Sequence, residues 1–234
     1  MAADAQLGVI ADWALSRTPA AGPLILGITG AVAAGKSTFA ADLAQALAGS
    51  RPRVELVCSD GFLHTNQTLT GLDLLNRKGF PETFDSDAQV RALTEIRTGA
   101  AVFPAHSHVT YDIDPALSRT LSGVDVLIIE GLNLRRDTAP VDGLIYIDAD
   151  EALLEAWYVA RFMGLWEAAE HDPTSFYVRF RQMNRDQVEA LAHQVWTGVN
   201  LPNLRQHIVL ARDEADLVVT KGPDHAIVSV QARG

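Results

Sequence analysis

The sequence is poor in cysteine. Cys58 stands alone among 234 residues, so no internal disulfide can staple the chain, and the residue fits a reducing compartment. Long apolar runs are missing too: nothing approaches the roughly 18 residues of a membrane span. The N-terminal MAADAQLGVIADW is acidic where a secretory signal is basic. Positive charge is short as well, with 19 Lys and Arg against 29 Asp and Glu and a net charge of −10. That balance repels polyanions and argues against a nucleic-acid or anionic-membrane surface. These shortages predict a soluble, unexported cytoplasmic protein, and no repeat or low-complexity linker divides it.

What is present is a core. With 48% hydrophobic residues the chain can bury a full-sized interior, and its length suits one domain with an elaborated lid. Apolar runs at 24–29, 53–58, 125–130, 143–148, 216–220 and 226–230 read as strands. Helical spacing follows at 37–49, from a Ser86/Gln89 capping box to about Thr98, and at about 150–168 and 174–197. AVFPAHSHVTYDI alternates apolar and polar residues like strands around a turn. The polar stretch from Gly61 to Lys78 has no assigned element and reads in part as a flap. Alternating strands and helices predict an α/β fold of the P-loop NTPase type, with a mainly parallel central sheet flanked by helices and ligands at the strand carboxyl ends. The expected organisation is one kinase domain over 1–234, with an N-terminal helical extension (1–23). An acceptor-side flap (61–85), a hairpin (100–122) and a helical lid region (150–200) complete it.

The segment ILGITGAVAAGKST carries the chemistry. Gly30-Ala31-Val32-Ala33-Ala34-Gly35-Lys36-Ser37 satisfies G-x-x-x-x-G-K-[ST], followed by Thr38. Small residues let the backbone curl, its N–H groups and the next helix's N-terminus hold phosphate oxygens, Lys36 bridges the β and γ phosphates, and Ser37 ligates Mg²⁺. A nucleoside triphosphate is implied. A GTPase would need N-K-x-D or T-K-x-D, and the chain offers only Asn76-Arg77-Lys78-Gly79, Asn184-Arg185-Asp186-Gln187 and Thr220-Lys221-Gly222-Pro223. Leu121-Ser122-Gly123-Val124-Asp125 resembles an ABC-type signature but abuts the acidic strand directly and reads as a turn. A small-molecule kinase remains, and it needs a base and an acceptor pocket.

Asp60 follows a buried strand and precedes Gly61, which puts a carboxylate at the cradle's edge of the sheet, suited to accept a hydroxyl proton. A turn cap explains it equally well. Glu130 ends DVLIIE before Gly131, where an acid can serve the metal. Leu154, Tyr158, Arg161, Phe162 and Leu165 share one helical face, so Arg161 lies in an apolar stripe and needs an anionic partner, a carboxylate or a phosphate. His106 and His108, with Tyr111 nearby, read as polar substrate contacts. Cys58, Trp157, Trp166 and Trp196 read as packing.

Taken together, VELVCSDGFLHTNQ, KGFPETFD, HSHVTYD, VLIIEGLN, AWYVARF, VNLPNLRQHI and TKGPDHA resemble the bacterial type I pantothenate kinases of the phosphoribulokinase and uridine kinase superfamily, from about Leu24 to Val230. The resemblance implies ATP-dependent phosphorylation of pantothenate, the first step toward coenzyme A. By motif, Asp60 is then the base, Lys36 and Ser37 hold phosphates and Mg²⁺, Glu130 assists the metal, and Arg161 clamps the γ-phosphate. His108, Tyr111, Tyr158, Phe162 and Asn200 match the pantothenate pocket, and Lys221 and His225 match positions beside adenine. Coenzyme A as a feedback ligand and a homodimer are further candidates from the same source. The chain departs from the pattern at His106, where the family usually has tyrosine, and at Ala40 and Ala41, where it has a basic residue. Two alternatives stay open: a kinase of uridine, glycerate or a sugar phosphate, and a non-catalytic sensor of ATP or coenzyme A.

Overall fold

A computed structural model of the chain describes residues 2–107 and 109–233, with side chains from residue 5 onward. Helix α1 (Ala2–Leu15) lays Ile10, Ala11 and Ala14 into the core. Strand β1 (Leu24–Gly30) is buried along its whole length, which is why it reads as an unbroken apolar run rather than an alternating one. The glycine turn leads into α2 (Lys36–Ala48), whose Phe39, Ala40, Leu43 and Leu47 face the sheet. Strand β2 (Val54–Cys58) ends in a 3₁₀ turn, Ser59–Phe62.

The stretch left without an element folds as α3 (Asn66–Gly71) and two short 3₁₀ turns. Helix α4 (Ser86–Glu95) starts one residue earlier than the expected cap: Asp85 accepts from the Ala88 N–H. The Ser86/Gln89 box does not form, because the Gln89 amide instead donates to the Thr138 carbonyl. Strands β3 (Ala100–Phe103), β4 (His106–Ser107), β5 (Asp112–Ile113) and β6 (Arg119–Ser122) form the expected hairpin as two nested antiparallel pairs.

Strands β7 (Val126–Gly131) and β8 (Gly143–Asp148) flank β1, and β9 (Leu217–Lys221) and β10 (Ile227–Ala232) complete the sheet in the order β10-β9-β8-β1-β7-β2. All pairs are parallel except β10 with β9. The expected α/β class and mainly parallel sheet are what the chain adopts.

Helix α5 (Glu151–Ala168) is capped by Asp150, which accepts from Ala152 N–H. The second long helix divides. A 3₁₀ turn covers Phe176–Phe180, and α6 (Arg185–Val195) begins only at a true capping box between Asn184 and Gln187. The helical path then passes through two π-turns, Trp196–Asn200 and Leu204–Ile208. Pro202 lacks the N–H that would bond Gly198, and the Leu201 N–H reaches back to Trp196 instead. Val159, Phe162, Met163, Val188 and Ala192 pack α5 and α6 into a small core of their own, apart from the main one.

Candidate active site

The parallel register brings the chemical residues to one edge. Cys58 and Ile28 both lie beside Glu130, and Gly30 lies beside Ile147. The turn after β1 needs its small residues: Gly30 (φ 144°), Ala33 (φ 63°) and Gly35 (φ 80°) take left-handed backbone angles, and a Cβ on Gly30 would sit 2.4 Å from the Ile147 carbonyl oxygen. Lys36 is buried and donates to the Ala31 carbonyl at 2.8 Å. Burial draws its pKa down, while Glu130 and Asp60 pull it back up. The Ser37 hydroxyl donates to Glu130 Oε1 at 3.0 Å, so the two residues expected at a metal already share one spot.

Asp60 lies on the 3₁₀ turn after β2. The turn is pressed against the hairpin so closely that a Cβ on Gly61 would lie 2.0 Å from the Pro104 carbonyl oxygen. A polar cavity of about 400 Å³ is bounded by Val32, Lys36, Ser37, Asp60, Glu130 and Arg161 among others. A second cavity, of about 480 Å³ and more apolar, runs along α5 past Tyr158, Phe162 and Leu165 to Ala169. Asp60 and Arg161 belong to the walls of both.

From Tyr158 to Leu165 the stripe on α5 is therefore a cavity wall, while Leu154 packs in the main core. Arg161 is exposed to the cleft rather than buried among apolar side chains, and no described carboxylate pairs with it. Phe162 is buried, as expected of the stripe. Tyr158 and Asn200 border the same cavity, and the Asn200 amide nitrogen is buried in its wall without an acceptor among the described residues. Its placement there comes from the first π-turn. Tyr111 takes a left-handed angle (φ 55°), with its carbonyl held by Asn66 Nδ2 at 3.0 Å and Lys78 Nζ at 2.6 Å. Burial pushes the Tyr111 hydroxyl up to about 12, and that of Tyr158 also rises, so both stay protonated donors. His106 packs edge-on to Tyr111 in the same wall. His108 lies outside the described residues.

Three more residues border the cavities: Lys78 and Tyr177, which carried no sequence signal, and Trp157, which read as packing. Lys78 borders the second cavity, and its neighbour Gly79 is pinned by two amides, Asn133 Nδ2 at 2.6 Å and Asn203 Nδ2 at 2.8 Å, on one carbonyl. Tyr177 borders the same cavity, and Trp157 the first. One further assignment changes. Cys58 is a cavity-wall residue rather than core, its thiol pushed up by burial and by Asp60 and Glu130. Lys221 does not border the polar cavity; it lies in a neighbouring one of about 510 Å³ beneath α1, with Phe39 and Asp42, and His225 joins the two. Trp196 is core, as expected.

A phosphate loop, an acid and an arginine without a carboxylate partner among the described residues, at the carboxyl edge of a parallel sheet, define a P-loop small-molecule kinase. The chain belongs to the phosphoribulokinase/uridine kinase family, whose model it matches over residues 25–164. The resemblance to the type I pantothenate kinases holds along the chain. It is 41% identical over 228 residues to the pantothenate kinase of Sinorhizobium medicae (strain WSM419), covering 90% of this chain and 69% of that one. It is 39% identical over 241 residues to the pantothenate kinase of Sorangium cellulosum (strain So ce56), covering 97% and 78%. Among solved structures, a "putative fructose transport system kinase" from Silicibacter sp. TM1040 superposes with a TM-score of 0.74 at 29% identity, covering 91% of this chain and 98% of that one. A D-glycerate 3-kinase from Cryptococcus neoformans shares the fold at a TM-score of 0.64 and 15% identity, covering 98% and 99%. No helix among the described residues is long and apolar enough to cross a membrane.

Proposed function

We propose that the chain transfers the γ-phosphoryl group of ATP to the primary hydroxyl of pantothenate. One observation carries the reading: Asp60 and Arg161 are shared by the polar cavity and the more apolar one, so a hydroxyl arriving from one side meets a phosphate arriving from the other between a base and a cation. Lys36 and the loop N–H groups hold the phosphates. Ser37 and Glu130, whose oxygens are 3.0 Å apart, offer the hard donors that suit Mg²⁺; bound there, the ion would neutralise phosphate charge. Asp60 takes the hydroxyl proton as the oxygen attacks in line, and Arg161 stabilises the charge on the transferring group.

The acceptor side is chemically suited to pantothenate. The Asn200 amide, the Tyr158 and Tyr111 hydroxyls and Lys78 can meet its amide, hydroxyl and carboxylate, and Phe162 and Leu165 can cover its methyl groups. Relatives bearing the name pantothenate kinase at about 40% identity support the choice.

A second reading, phosphorylation of a sugar hydroxyl, is favoured by the fructose-transport-system kinase structure, which this chain covers to 98% of its length. A panel of pantothenate, uridine, glycerate, fructose and pentose phosphates with ATP and Mg²⁺ separates them. Pantothenate should give the highest kcat/KM; its failure beside brisk use of fructose would replace the first reading with the second.

A further inference from the structure

One contact at the nucleotide end is left unused by this mechanism. The Trp157 indole lies flat on the His225 imidazole, ring centres 3.8 Å apart and planes 25° apart. The indole Nε1–H donates to the Pro223 carbonyl at 3.1 Å. One side chain thus holds both the ring and the backbone of the turn between β9 and β10. His225 sits at φ 60°, a left-handed angle that is strained for a non-glycine residue.

Core burial does not explain the strain, because Pro223, Asp224 and His225 are all exposed. The imidazole makes no side-chain hydrogen bond to a described residue; its ring neighbours are Trp157 on one face and the glycine turn near its edge, where a Cβ on Gly35 would come within 3.4 Å of Nδ1. Both rings border the polar cavity. An exposed aromatic ring, held flat at a strained angle beside a phosphate loop, is a platform for another flat ring. The simpler reading is surface packing that merely closes the turn, and it predicts a different outcome below.

We propose that Trp157 is a positioning residue for the nucleotide: by stacking on His225, which the family resemblance already sets beside adenine, and by holding Pro223 it keeps the imidazole level at the cavity mouth, with its open face toward the base. The proposal rests on the reading that the polar cavity takes ATP. Trp157 also precedes Arg161 by one helical turn on α5. The helix that steadies the base platform therefore carries the guanidinium of the transfer site.

Titration calorimetry with the non-hydrolysable analogue AMPPNP tests this on the wild type, Trp157→Ala, Trp157→Phe, His225→Ala and the double alanine variant. Trp157→Ala should weaken binding about three- to tenfold, the worth of one aromatic stack, and leave the acceptor KM unchanged. Trp157→Phe keeps a ring but loses the N–H and should lose about two- to threefold; it carries the test if the alanine variant does not fold. The double variant should bind no more weakly than His225→Ala alone, because Trp157 acts through His225. Losses that multiply in the double variant, or folded Trp157 variants that bind AMPPNP like the wild type, would overturn the proposal. A wild type that binds no AMPPNP would overturn the ATP reading beneath it, and a wild type that binds while the variants fail to differ sinks only the role of Trp157.

Discussion

In the proposed reaction Asp60 and Arg161 have different parts, so their variants should fail differently. Asp60→Asn keeps the shape and removes the proton acceptor; its kcat should fall on the order of 10²- to 10⁴-fold while AMPPNP affinity stays near wild type. Normal turnover in that variant would remove Asp60 from the mechanism. Arg161→Ala takes away charge needed mainly in the transition state, so single-turnover rates should drop on the order of 10³-fold with the acceptor KM little changed. A raised acceptor KM at normal rate would make Arg161 a binding residue instead. At this scale the sequence was informative wherever a residue's neighbours were local: the glycine cradle, Lys36, Ser37 and the SDGF turn could be read directly. It misled where the third dimension decides. The apolar stripe on α5 implied an anionic partner for Arg161 but not a cavity, because periodicity reports a shared face and not what that face meets, and from Tyr158 to Leu165 it meets a cavity. Lys78 left no trace and Trp157 read only as packing, since their partners come from distant elements.

Elements explain how the side chains are aimed. The first π-turn widens the helix after α6 at the point where Pro202 cannot donate, and it leaves Asn200 in the wall of the more apolar cavity, its amide nitrogen without a partner among the described residues. Pro202→Ala restores a donor and should let the turn tighten toward an α-helix. The acceptor KM should then rise several-fold, on the order of one lost hydrogen bond, with the ATP KM unchanged; steady-state kinetics on both substrates checks it. The 3₁₀ turn bearing Asp60 depends on Gly61, whose missing Cβ leaves room for the Pro104 carbonyl. Gly61→Ala should therefore lower the thermal midpoint and the rate together. Element boundaries were legible where apolar periodicity was strong, as in β1, β7, β8 and α5. The break between the Phe176–Phe180 turn and α6 was missed because the intervening residues keep helical spacing, and only the Asn184 and Gln187 box marks the restart.

At the scale of the whole molecule, a sheet carrying the cradle stands beside a helical unit with a small core of its own. Carboxylates along α5 and just past its end pair with arginines and a histidine of the later chain: Glu151 with Arg205, Glu155 with His193, Glu167 with Arg185 and Glu170 with Arg181. Hydrogen bonding from Arg205 holds the Glu151 carboxyl below the ordinary glutamate range. A lowered folded pKa stabilises the fold above the unfolded value, near 4.3 for glutamate, and the gain fades as pH falls through the folded value. The pair is exposed, so the effect is small and salt-screened. The melting-temperature gap between wild type and Arg205→Ala should be present at pH 7 and vanish in strong acid; a gap that widens on acidification would reverse the sign.

The geometry between the two cavities bears most of the account, and a crystal structure with AMPPNP and pantothenate bound together would examine it directly. The primary hydroxyl of pantothenate should lie within about 2.6–3.2 Å of the Asp60 carboxylate, facing the terminal phosphorus, with the Arg161 guanidinium on that phosphate. Pantothenate lodged elsewhere, or Asp60 turned from its hydroxyl with the nucleotide in place, would contradict the account.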